Sequence, residues 1–180
     1  MSIWTMSTPP VALPRIKLEK VSELAHMIVT APKMPLGDWM IMGRQVATGW
    51  GGVIDLLAID ANGSVILIQL EREIADRSAV ATVLNYASWL QNSSLCELEA
   101  IYGIFSSGRS LLDDAAERFG AFVSTINPAS NPQLAIVALD FAPDASRTIS
   151  YLVSRGVMIT RIQYWLFEID NHRLVTFKTL

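Results

Sequence analysis

Asp55, Gln69 and Glu71 stand inside two runs that otherwise read as buried strands, VIDLLAID and VILIQLE. A carboxylate set among Val53, Ile54, Leu56 and Leu57 costs several kcal/mol unless it is paired or binds a metal. Asp55 therefore points to a functional site. Glu71 also fits a solvated strand end, because Arg72 and Glu73 follow it directly.

Whether these groups meet depends on the turn between the runs. Side chains alternate along a strand, so Val53, Asp55, Leu57 and Ile59 share one face, and Val65, Leu67, Gln69 and Glu71 share one face of the next. A two-residue Asn62-Gly63 loop would pair Ala61 with Ser64 and set Asp55 opposite Leu70, on the wrong face. A three-residue loop, Ala61-Asn62-Gly63, with Gly63 in the left-handed position, pairs Asp60 with Ser64. It places Asp55 opposite Gln69, with Glu71 on the adjacent diagonal. The three-residue loop is expected, since it gathers the polar groups instead of burying each alone.

The elements that must carry this hairpin are legible by pattern. A helix is expected over Val21 to Val29, a loop over 31–37, a strand over Trp39 to Val46 and a turn at TGWGG. Helices follow over Ala75 to Gln91, Leu95 to Phe105 and Ser110 to Gly120. After a loop at 127–131 come a strand, Leu134 to Leu139, and a helix capped by Asp144 and stopped at Gly156. Two strands, Met158 to Phe167 and Leu174 to Lys178, then turn at Asp170-Asn171. The order is α, a three-strand meander, helices, then β-α-β-β, a mixed α/β sheet flanked by helices. Residues 1–14 hold Pro9, Pro10 and Pro14 and read as an extended arm; 15–180 read as one domain.

The chain has 180 residues, of which 51% are hydrophobic. That allows a large core and leaves apolar surplus for a homodimer interface. No apolar run reaches the roughly 18 residues of a membrane span, and the N-terminus lacks the basic start and small-residue cleavage site of a signal peptide. Cys96 is the only cysteine, so no disulfide or cysteine zinc cluster forms within the chain. A cytoplasmic protein is expected. The net charge of −3 argues against a general nucleic-acid coat protein but leaves room for a local basic patch.

Other residues weigh less. His26 and His172 lack zinc-ligand spacing, and Cys96 beside Leu95 and Leu98 is expected in the core. Ser106 to Ser110, SSGRS, reads as a helix-to-helix loop before a phosphate cradle. Trp50, in the glycine-rich turn, could stack on a base. Arg44 and Arg72 could contact phosphate or lie on a solvated strand edge.

The ordered set VIDLLAID, ANGS, VILIQLER and LNYASWL resembles the PD-(D/E)XK nuclease superfamily, in its small RecB-like and mismatch-endonuclease-like branch. Flanking stretches, MGRQVATGWGG and LAIVALDFAPDASRTISYLVSRGV, are similar too, so the resemblance spans roughly Glu19 to Phe167. It implies a restriction-endonuclease-like fold and a divalent-metal-dependent DNA endonuclease, with Mg²⁺ or Mn²⁺ as cofactor and DNA as partner. The family aspartate falls on Asp55. The family glutamate position holds Gln69, and the lysine position holds Glu71. A helical Gln and Tyr four apart become Thr82 and Tyr86, and the acid on the first helix falls at Glu23. Gln69 can still offer a carbonyl oxygen. Glu71 cannot act as a cation but could be a ligand or a general base, so that Asp55, Glu71 and Glu23 would surround a hard cation. The resemblance thus implies Asp55, Gln69 and Glu71 at the metal, Glu23 assisting, and Tyr86 buttressing from its helix, with Arg44, Arg72 and Tyr86 as substrate contacts. The alternative it leaves open is a catalytically degenerate nuclease-fold module for nucleic-acid or protein binding, or for dimerisation.

Overall fold

Two antiparallel hairpin systems, one at each end of the chain, are joined into a single sheet by parallel strands between them. The computed structural model describes residues 2–31, 37–120, 126, 128 and 132–180. The loops expected over 31–37 and 127–131 lie outside these residues, apart from Ala31, Gly37 and Pro128. The strands are β1 (Arg15–Ile16), β2 (Met40–Thr48), β3 (Gly52–Ile59), β4 (Val65–Leu70), β5 (Ile74–Ala75), β6 (Gln133–Ala138), β7 (Asp140–Phe141), β8 (Ile159–Ile169) and β9 (His172–Thr179). The helices are α1 (Val21–Thr30), α2 (Arg77–Leu90), α3 (Leu95–Ser106), α4 (Leu111–Phe119) and α5 (Pro143–Ser154).

The main sheet runs β1-β8-β6-β4-β3-β2, and β9 pairs with β8. The meander β2-β3-β4 is antiparallel, β4-β6-β8 is parallel, and β8-β9 closes as a hairpin through Asp170 and Asn171, both at positive φ. This is the mixed sheet flanked by helices that the element order implies. β5 and β7 form a separate two-stranded pair that the sequence pattern does not reveal. Before β1, Thr5 N–H donates to Val11 O and Leu13 N–H to Ile3 O, so this stretch pairs with itself.

The central strands are apolar on both faces because both are covered. Leu57, Ile59, Val65 and Leu67 pack under α2, α3, α4 and α5, through Val83, Leu90, Leu98, Leu111 and Ile149. Leu56, Ala58, Ile66 and Ile68 pack on the other face against Leu24, Ala25 and Ile28 of α1. Capping fixes where the covering helices start. Asp76 accepts from Ser78 N–H and Ala79 N–H at the start of α2, two residues after the expected start at Ala75. Ser94 and Glu97 form a reciprocal capping box on α3, an arrangement worth about 1 kcal/mol.

Two sequence expectations are corrected here. Asp144 does not cap α5: Ala142 is the cap and Pro143 occupies the first turn, where its missing N–H costs nothing. Cys96 is exposed, because the inward face of α3 is formed by Leu98 and Tyr102.

Candidate active site

The site begins with the hairpin. Gly63 adopts φ +75° and donates its N–H to Asp60 O at 3.0 Å, while Asp60 N–H donates to Ser64 O at 3.2 Å. Asp60 Oδ1 also accepts from Asn62 and Ser64 N–H, both at 2.9 Å. This is the three-residue loop. The pairing runs from Ile59 with Val65 to Leu56 with Ile68 and stops short of Asp55, whose side chain instead accepts Leu70 N–H. Gln69, two residues on from Leu67, lies on the face covered by α2; it reaches Glu71, and the charges of Asp55 and Glu71 act on one another.

Asp55 is clamped from two strands. Leu70 N–H donates to its Oδ2 at 2.8 Å, and Gln45 Nε2, from β2, donates to its Oδ1 at 3.1 Å. Burial raises its pKa above the ordinary carboxylate value, and the Leu70 and Gln45 hydrogen bonds only partly offset that. Glu71 is raised as well, first by burial; the bond from Gln69 lowers it, and the charges of Asp55 and Asp76 raise it. The two carboxyls thus sense each other. Gln69 Nε2 donates to Glu71 Oε1 at 3.4 Å, whereas Gln69 Oε1 is buried without a hydrogen-bond partner.

Among the described residues, no ion pair reaches Asp55 or Glu71. A buried carboxamide oxygen without a donor, on a side chain bonded to a carboxyl held above its usual pKa, lacks a cationic or acidic partner. Two carboxylates and a carboxamide oxygen are hard donors that suit Mg²⁺, Mn²⁺ or Ca²⁺. Among the described residues, no group of three or more His, Cys, Asp or Glu side chains is placed to hold a metal, so the third donor would be Gln69.

Tyr86 lies under the start of β3, where its hydroxyl accepts Val53 N–H at 3.2 Å. A Cβ on Gly52 would come within 2.6 Å of Tyr86 Cε1 and 2.9 Å of its hydroxyl oxygen. Gly52→Ala should therefore cost about 1–3 kcal/mol by overpacking, read as a lower urea midpoint with an unchanged slope. An unaltered midpoint would mean that the ring does not bear on β3.

Other sequence-derived candidates are not brought to this face. Glu23 ion-pairs with Arg173 of β9 at 2.6 Å, and its helix α1 covers the opposite face of the sheet; the expected trio of carboxylates is corrected to a pair. Arg44 donates to Ser22 O at 3.2 Å, at the start of that same helix. Arg72 is exposed beside Glu73, 3.6 Å away, and its carbonyl accepts from Tyr164 at 2.6 Å. SSGRS is a loop tied by Ser106 to Arg109, as expected. Trp50 is exposed in the turn after β2. Gln45 is the participant that sequence reasoning misses; its only signal is a polar residue in register with Asp55 on the preceding strand.

A family model described as the endonuclease NucS C-terminal domain matches residues 20–130. No curated protein sequence matches the chain. Among solved structures, an EndoMS–dsDNA complex is 14% identical, with a TM-score of 0.49, over 91% of this chain and 64% of that one. A repair endonuclease from Pyrococcus abyssi is 17% identical, with a TM-score of 0.48, over 83% of this chain and 50% of that one. EndoMS in its apo form is 16% identical, with a TM-score of 0.47, over 91% and 64%. The chain thus spans between 50% and 64% of the length of these proteins.

Proposed function

We propose that this chain, which belongs to the endonuclease NucS C-terminal domain family, hydrolyses phosphodiesters in DNA with the help of a divalent cation. The observation that carries the reading is the buried, unpartnered Gln69 Oε1, on a side chain bonded to Glu71, which in turn senses the charge of Asp55. Asp55, Gln69 Oε1 and Glu71 would hold the cation. When bound, Mg²⁺ or Mn²⁺ supplies charge stabilisation at the phosphate and lowers the pKa of a coordinated water.

The residues do the remainder. Asp55, fixed by Leu70 and Gln45, keeps its carboxylate in one orientation. Glu71, bonded to Gln69 and near Asp55, stands where an attacking water would need a proton acceptor. It takes the proton of the attacking water, while Gln69 Nε2 holds its Oε1 in place. Arg72, exposed beside Glu73, would meet a DNA phosphate only at the strand end, off the face that holds Gln69. Tyr86 supports β3 from beneath.

A second reading is favoured by one observation. The lysine position of the resembling nucleases holds Glu71, and no cation pairs with Asp55 or Glu71 among the described residues. On that reading the chain is a degenerate nuclease-fold module that binds nucleic acid or protein, or forms a homodimer.

Thermal unfolding with added Mn²⁺ separates the two. Free Mn²⁺ at 100 times its Kd should stabilise the parent by about 2.7 kcal/mol through mass action. Asp55→Ala should show no such gain. A parent that Mn²⁺ neither stabilises nor enables to nick plasmid DNA would leave the binding module standing.

A further inference from the structure

The edge strand β2 carries a backbone departure at the position facing Asp55, between Arg44 and the buried Val46. Gln45 has φ +52°, in the left-handed region that residues other than glycine and asparagine rarely enter. Its side chain is exposed, so it fills no core volume. The pairing with β3, shifted between Ile41 and Gly43, holds one register from Arg44 with Leu56 to Val46 with Ile54 and skips the position between them.

Beside turning Val46 into the core, the departure brings Gln45 Nε2 to Asp55 Oδ1 at 3.1 Å. Leu70 N–H already holds Oδ2 at 2.8 Å. A carboxylate held at one oxygen can still swing about that bond; a second donor on the other oxygen stops the swing. We propose that Gln45 is a positioning residue, whose left-handed backbone delivers a carboxamide that locks the plane of the Asp55 carboxylate, so that its remaining lone pairs stay aimed at the space shared with Gln69 and Glu71. This rests on the reading of Asp55 as a cation ligand. A strained backbone beside a candidate ligand is a known mark of function, and partners of metal ligands govern affinity through this kind of orientation.

Two variants remove the clamp without disturbing the backbone. Gln45→Asn tolerates the left-handed region but is one methylene too short to reach Asp55. Gln45→Gly has no side chain and no strain. With the full chain, electron paramagnetic resonance of Mn²⁺ should show binding about 10–100-fold weaker in both variants, with a melting temperature equal to or above that of the parent. In metal-free protein, the side-chain amide resonances of Gln45 should move toward free-carboxamide positions in Asp55→Ala. Equal Mn²⁺ affinity in parent and variants would overturn the proposal, as would Gln45 resonances that ignore Asp55→Ala. If the parent binds no Mn²⁺ while the Gln45 resonances still respond to Asp55→Ala, the clamp is upheld and the metal reading fails instead.

Discussion

Glu71→Gln should lower the proposed metal-dependent DNA nicking by about a hundredfold and, in the same protein, raise the melting temperature at neutral pH. The two effects have opposite signs because Glu71 is held against its own solvation. Its folded pKa lies above the ordinary 4.5, so the folded state binds its proton more tightly than the unfolded chain does. The stability linked to that proton is fully present below the unfolded pKa, and it is lost as pH rises through the raised folded value. Asp55 adds to the same trend, with burial as the main cause. The parent should therefore melt at higher temperature near pH 5 than near pH 8, by a margin that shrinks in Glu71→Gln. Glutamine keeps an oxygen to accept from Gln69 Nε2, so the swap removes the charge and spares the hydrogen bond. Thermal denaturation at the two pH values, run beside a nicking assay, reads both effects. A lower melting temperature at both pH values would show that Glu71 serves the fold.

Glu71→Lys alone should likewise fall about a hundredfold, through loss of the base, yet Gln69→Glu combined with Glu71→Lys should return to within about tenfold of the parent. The single lysine sets an ammonium beside Asp55 while the other donor, Gln69, stays neutral. The added glutamate supplies the second charged ligand, and the lysine then lies beside two carboxylates. Residues in one polar network couple by about 0.5–3 kcal/mol, enough for the rescue. Measured rates for the parent, both single variants and the pair complete the cycle, and strictly additive losses would refute the coupling. If the parent is inert while the pair cleaves, the degenerate-module reading wins. Adding Thr82→Gln to the pair tests whether a missing glutamine on α2 blocks the rescue.

The register of β3 and β4 was readable because it depends on local chemistry. Asn62-Gly63 demands a turn with a positive φ, and the parity of Asp55 against Gln69 chooses the loop length. Glu23 was misplaced for a different reason. Its helix was legible, but the face of the sheet that α1 covers depends on the parallel crossing of β4, β6 and β8, which no local pattern encodes. Gln45 was silent because nothing in its residue type announces a left-handed backbone. The β5–β7 pair was too short to show a period; it is organised instead by Glu73 O, which accepts from Leu139 and Asp140 N–H. For α5 the signal was there, since Pro143 marks a first helical turn more firmly than Asp144 marks a cap.

The loop at Ala61-Asn62-Gly63 also sets a rule for how this lineage can change. Strand faces alternate with a period of two, so losing one loop residue sends either Asp55 or the Gln69–Glu71 pair to the α1 side and brings apolar side chains to the other. Losing or gaining two preserves parity. Insertions and deletions should therefore be tolerated in even steps at this tip and rejected in odd ones. The length of a surface turn, usually the most permissive trait of a protein, should here be constrained as strictly as a ligand.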